Sequence, residues 1–248
     1  MPQSLHLLLP PSEGKRDGGS EPLSDGCFDE AMRDARNEIL KTLANLLKSK
    51  QDVDWSKILR VRGALLDRAL LATSAVVENR ALVLPAWQRY DGVVWQHLGP
   101  ASLRDDDRRR VLVPSALYGV NRADDPVADY RLTFKASLGD LGPLATFWRP
   151  TLSSVIATYC KQATLVNLLP SEHAHALDLE LLGTEARVVN VSFSSSDGSR
   201  AIGHEAKAAK GKFARFVLEN GLDNVTKFRW SGWRVKAKDD NIALRAPK

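Results

Sequence analysis

The residues best placed to do chemistry near the start of the chain are Ser12, Glu13, Gly14 and Lys15, directly after the apolar run Leu7–Leu9 and the pair Pro10–Pro11. The apolar run reads as a short buried strand that the prolines end. A glycine beside a lysine at such a strand end lets backbone approach an anion while the ammonium supplies charge, and ligands of α/β folds gather at that edge. The stretch is not a P-loop. That pattern needs a glycine five residues before Gly14, where Leu9 stands. A strand end running into a plain polar loop explains the same residues.

Further polar clusters recur along the chain. Tyr90 opens the unit YDGVVWQHL, Ser115 and Tyr118 lie in SALYG, Tyr130 and Arg131 in DYRL, and Ser171, Glu172 and His173 in PSEH. A tract from about Glu205 to Glu219 reads as a helix. It carries a stripe of Lys207, Gly211 and Ala214 flanked by Lys210 and Arg215. A small-residue stripe edged with cations admits a phosphate, or else the backbone of a neighbouring helix. Arg131 needs an acidic partner, either a bound anion or Asp129 or Glu172, because an unpaired buried charge is costly. Glu172 suits a general base, with Tyr118 as a second acid–base candidate, or else a helix-capping carboxylate. His173 and His175 are two apart, which does not put both on one helical face, so no metal site is expected.

The elements that must position these groups follow from periodicity. A helix is expected over about Phe28–Lys48, with Met32, Ala35, Ile39 and Leu43 on its apolar face and Asp25 as N-cap. Helical tracts are expected at about Trp55–Leu71 and Ser74–Leu82. The first contains Gly63, which reads as a tolerated glycine within a helix. After Pro85 strands alternate with helices: RRVLVPS, PVADYRLTF, a helix from about Pro150, TLVNLL, ARVVNVSF, the basic helix, and a strand-rich end. That order argues for an α/β class, α+β-like, with one domain and a mixed sheet flanked by helices. The basic and aromatic alternation after Thr226 suits a nucleic-acid surface or an edge strand.

Composition sets the outer limits. The chain has 248 residues, 44% hydrophobic and 26% charged, and a net charge of +5. These values describe a globular protein with a modest preference for anionic partners. No apolar run spans a membrane and no secretory signal opens the chain, so a cytoplasmic protein is expected. Cys27 and Cys160 form no framework and read as structural thiols. No cofactor is expected, and a monomer is.

Seven motifs occur in a fixed order: PPSEGK, YDGVVWQHL, SALYG, DYRL, FW at Phe147–Trp148, NLLPSEH and KAAKGKFAR. Together they resemble the YaaA family of bacterial peroxide-stress proteins over nearly the whole chain. The chain departs from the family in two places. The opening is more often of the SPAKT type, and His173 stands where a tyrosine is usual. The resemblance implies cytoplasmic proteins that limit damage from hydrogen peroxide and free iron. It also implies a single α/β domain with a helix-hairpin-helix-like element, and binding of double-stranded DNA in a positively charged cleft. On that reading Lys15, Arg131, Lys207, Lys210 and Arg215 hold phosphates, with Ser12, Tyr90, Ser115, Tyr130 and Ser171 as further cleft residues. The alternative is an enzyme that acts on an anionic, nucleotide-like small molecule by acid–base catalysis with Glu172 and Tyr118.

Overall fold

A computed structural model describes residues 4–247. Its strands are β1 (Leu5–Leu8), β2 (Glu21–Pro22), β3 (Leu82–Pro85), β4 (Val111–Ser115), β5 (Gly119–Arg122), β6 (Pro126–Ala128), β7 (Thr164–Asn167), β8 (Arg187–Ser194), β9 (Arg234–Lys238) and β10 (Asn241–Arg245). Seven of them form one mixed sheet in the order β5-β4-β1-β7-β8-β10-β9, and β2-β3-β6 form a small antiparallel sheet. Strands β4, β1, β7, β8 and β10 run parallel, while β5 and β9 close the edges antiparallel. Every residue of β4 and β7 is buried, as are Leu7 and Leu8 of β1. Such unbroken apolar runs mark parallel strands covered on both faces.

The helices are α1 (Asp29–Lys48), α2 (Trp55–Leu59), α3 (Ala64–Val77), α4 (Ala86–Arg89), α5 (Val93–Leu98), α6 (Asp105–Arg109), α7 (Leu144–Tyr159), α8 (Ser171–Ala174), α9 (Leu179–Glu185) and α10 (His204–Asn220). Met32, Ile39 and Leu43 of α1 are buried, as the periodicity requires. Local boundaries differ from the sequence expectation in several places. Phe28, not Asp25, stands at the N-cap of α1, and its side chain makes no capping bond. The tract from Trp55 is two helices, because Arg60 turns left-handed (φ 55°) after α2 and Gly63 precedes α3. Leu82 opens a strand that pairs with both β2 and β6, so tertiary pairing outweighs its helical neighbourhood. The α7 helix begins at Leu144 and runs through Pro150. The segment after Ala128 leaves the sheet, so Arg131 lies on irregular backbone.

The small-residue stripe of α10 serves helix packing. A Cβ on Gly211 would lie 2.2 Å from the Val94 carbonyl oxygen and 2.9 Å from the Leu98 amide, so α5 rests directly on this glycine. Gly211→Val is therefore expected to cost about 3 kcal/mol or more in urea unfolding, since neither backbone can yield cheaply.

Candidate functional site

The chain leaves β1 between β4 on one side and β7 on the other, so the loops after these three strands diverge and open a crevice. A cleft of about 540 Å³ occupies that position. Its walls come from residues 10–15 after β1, Ala116 after β4, Pro170, Glu172 and His173 after β7, and the start of α5. The segment Tyr130–Lys135, Arg60, and Lys207 and Lys210 of α10 complete it.

The loop after β1 is pinned from several sides. Trp95 Nε1 donates to the Pro10 carbonyl at 3.1 Å. Ser12 is buried against Gly92, where a Cβ would fall 2.4 Å from its hydroxyl. Arg68 donates to the Lys15 carbonyl at 3.0 Å while pairing with Asp129 at 2.8 Å. Fully buried Arg89 donates to the carbonyls of Arg16, Gly18, Leu82 and Val127. Lys15 is thus fixed at the floor of the cleft. Its Nζ donates to the Ser12 carbonyl at 3.0 Å and sits 3.9 Å from the centre of the Tyr130 ring. Burial lowers the Lys15 pKa to about 7; Asp129 and Glu13 oppose the shift, and Arg131 and Arg89 add to it.

The Tyr130 ring is held by a chain of hydroxyls. Ser115 Oγ accepts from the amides of Leu117 (3.3 Å) and Tyr118 (3.2 Å) and donates to Tyr130 Oη at 2.8 Å. Tyr130 Oη in turn lies 3.0 Å from Tyr90 Oη. Burial pushes the Tyr130 phenol up to about 12 and Tyr90 well above its ordinary value, so both rings stay neutral. Opposite them, Arg131 donates to the Glu13 carbonyl at 2.7 Å and approaches the Glu13 carboxylate at 3.4 Å. Glu172 pairs closely with Lys135. Burial would raise the Glu172 pKa, but the bond from Lys135 and the surrounding positive charge outweigh it, so the carboxyl stays ionised. Burial pushes His173 down to about 4 against the pull of Glu172, which keeps the imidazole neutral near pH 7. Burial, with Arg200 adding, lowers Lys210 to about 8; its Nζ donates to the Leu168 carbonyl at 2.5 Å. Arg131 Nε, Thr133 Oγ1 and His173 Nδ1 are buried in the cleft wall and make no hydrogen bond among the described residues. These atoms are closed off from the open space of the cleft, and His173 Nδ1 lies 3.5 Å from the Glu172 carboxylate.

Residues 5–239 match the protein family described as peroxide stress protein YaaA. The chain belongs to that family. Its relatives include a UPF0246 protein of Streptomyces coelicolor, 29% identical over 94% of this chain and 92% of that protein. A UPF0246 protein of Corynebacterium glutamicum is 31% identical over 85% of this chain and 84% of that protein. A third, from Ruegeria, is 31% identical over 60% of this chain and 64% of its own length.

In this YaaA-family chain, seven of the twelve residues named from sequence as catalytic, anion-binding or cleft candidates line the cleft: Ser12, Lys15, Tyr130, Arg131, Glu172, Lys207 and Lys210. Five others lie outside its lining. Tyr118 is buried and its hydroxyl accepts from the Ala128 amide at 3.0 Å, beneath the Arg36 guanidinium. Arg215 ties α10 to the end of α5 through the Leu98 and Gly99 carbonyls and pairs with Glu219. Tyr90 and Ser115 act behind the wall, through Tyr130. The Ser171 hydroxyl accepts from Arg200 at 3.0 Å. Sequence reasoning missed Lys135, Thr133, Arg60, Arg68 and Arg89. The first two had a signal: from Arg131 to Ala136 polar and apolar residues alternate, and Leu132, Phe134 and Ala136 are the buried ones. Among the described residues no three His, Cys, Asp or Glu side chains cluster as metal ligands, and no helix is long and apolar enough to cross a membrane. Cys160 is buried and Cys27 exposed.

Proposed function

We propose that this peroxide-stress family member is an enzyme that binds a small, nucleotide-sized anion in the cleft and uses Lys15 to move a proton. The observation that carries this reading is the state of Lys15. Both nearby carboxylates are committed elsewhere, Glu13 to Arg131 and Asp129 to Arg68, which leaves the amine enclosed and close to half-protonated at neutral pH. The Arg131 guanidinium and the Lys210 ammonium line the cleft and supply the anion's counter-charges. Glu172, ionised and tied to Lys135, is a base or a charge partner rather than an acid. A volume of about 540 Å³ lies within the range of small-molecule sites, roughly 300–1,000 Å³. AMP is expected to bind saturably in calorimetry, and Arg131→Ala to weaken it at least about tenfold. Equal affinity in both proteins removes Arg131 from the site.

A second reading is favoured by the rim. Arg60, in the break between α2 and α3, and Lys135 and Lys207 are exposed residues of the cleft lining. Exposed cations at the edge of a concave surface suit the phosphates of double-stranded DNA without reading sequence, and the two helices with their short connection are the helix-hairpin-helix candidate. On that reading duplex affinity falls steeply between low and moderate salt, and Lys207→Ala lowers the salt slope by about one. A flat salt response contradicts it.

A further inference from the structure

We propose that the ligand of the cleft carries two or more linked phosphates, and that Arg200, outside the lining, is a further residue that holds them. This deepens the small-anion reading of the cleft and rests on it. Six cationic side chains line the cleft against two carboxylates. Both carboxylates are taken, Glu13 by Arg131 and Glu172 by Lys135. Lys15, Arg60, Lys207 and Lys210 therefore line one space with no carboxylate at ion-pairing distance among the described residues. The lining keeps a surplus of positive charge that the protein itself does not balance.

Part of that surplus gathers at the turn after β7, where Arg200 joins it. Lys207 and Lys210 are one turn apart on α10, so both lie on the helix face that lines the cleft. Lys210 Nζ donates to the Leu168 carbonyl at 2.5 Å. Further along the same turn, the Ser171 hydroxyl accepts from Arg200 Nη1 at 3.0 Å, between the lining residues Pro170 and Glu172. The rest of the Arg200 guanidinium makes no hydrogen bond or ion pair among the described residues. Its backbone is fixed, because Arg200 bridges Ser194 and the next amide, of Ala201, donates to the Phe193 carbonyl at 2.9 Å. Burial lowers the Lys210 pKa, Arg200 and Lys207 push the same way, and Glu172 pulls back, so the three cations act on one another. Like charges collected in this way cost stability, and a bound polyanion offsets that cost. A phosphate monoester carries about 1.5–2 negative charges at neutral pH, roughly half of the surplus, and further phosphates joined to it balance the rest. The forked guanidinium of Arg200 suits two phosphate oxygens at once.

The test is calorimetry on the full chain with AMP, ATP and inorganic tripolyphosphate, in EDTA and at fixed ionic strength. ATP is expected to bind saturably and at least about tenfold tighter than AMP. Arg200→Ala is expected to weaken ATP at least about fivefold. Lys238→Ala removes an exposed cation from β9, at the far edge of the sheet, and is expected to leave ATP affinity within about twofold. Tripolyphosphate as tight as ATP names the phosphate chain as the whole ligand, and weaker tripolyphosphate names a nucleoside polyphosphate. If AMP binds as tightly as ATP, or if Lys238→Ala weakens ATP as much as Arg200→Ala does, the linked phosphates are overturned while the small-anion reading stands. Unchanged ATP affinity in Arg200→Ala overturns the assignment of Arg200. If none of the three binds, both readings fall, and a duplex oligonucleotide that binds in their place leaves the exposed cations to DNA.

Discussion

Arg89→Ala is expected to destabilise the fold by about 3–5 kcal/mol, read from the midpoint of urea unfolding at unchanged slope. The guanidinium is fully buried, and four backbone carbonyls from three separate segments converge on it: Arg16 and Gly18 in the loop after Lys15, Leu82 in β3, and Val127 in β6. Truncation leaves the Val127 carbonyl without this donor in the interior, where such a loss costs about 1–3 kcal/mol before relaxation, and removes the bonds to three part-buried carbonyls. Arg89→Lys is expected to recover little, because one ammonium cannot match a fork that donates in several directions. Arg89 ties residues 16–18 to β3 and β6, so ligand binding in the variant should weaken along with stability. A loss below about 1 kcal/mol would mean that the loop holds itself.

The second large effect is at Lys15, and it carries a sign that depends on pH. The folded pKa of about 7 lies below the ordinary 10.5. Between those values the unfolded chain holds a proton that the folded chain lacks, so stability rises with pH across that window and is lost as pH falls toward 7. Lys15→Met removes the group and its slope. The variant is therefore expected to gain most relative to the parent at and below pH 7, by about 1–4 kcal/mol, with the gap closing toward pH 10. More stability with less chemistry is the pattern of a site whose buried lysine is kept for function. A constant gap at all pH values would show that Lys15 titrates normally in the fold.

Much of the fold was legible because three of its parallel strands, β1, β4 and β7, are short apolar runs with a proline at or near their ends. LLL before Pro10, VLV before Pro114 and LVNLL before Pro170 all became central strands whose C-terminal loops form the cleft. The long α1 and α10 helices were legible from periodicity. The break at Arg60–Gly63 was not, since a left-handed arginine leaves no compositional trace and the flanking residues favour helix. The partner of Arg131 was also hidden. Asp129 lies two positions away in sequence, but Arg68 claims it, and the ion pair forms with Glu13, more than a hundred residues distant in the chain.

That pairing alters the meaning of the opening motif. Glu13, an odd neighbour for a phosphate-binding lysine, neutralises Arg131 in part and does not pair with Lys15. Arg89 gave no signal either, because its function is to satisfy carbonyls that only the folded chain brings together. Ser115 and Tyr90 were drawn from the right motifs but act one layer behind the wall, by fixing the ring on which Lys15 rests. Lys207 and Gly211, four residues apart on α10, divide two tasks, one facing the cleft mouth and the other admitting α5.

The account turns on the charge state of Lys15, and an NMR titration of the protein carrying isotope-labelled lysine measures it directly. With Lys15→Met assigning the resonance, the side-chain signal of Lys15 is predicted to move with an inflection at about 7. An inflection at the ordinary lysine value, about 10.4, would contradict the free amine on which the proton-transfer reading depends.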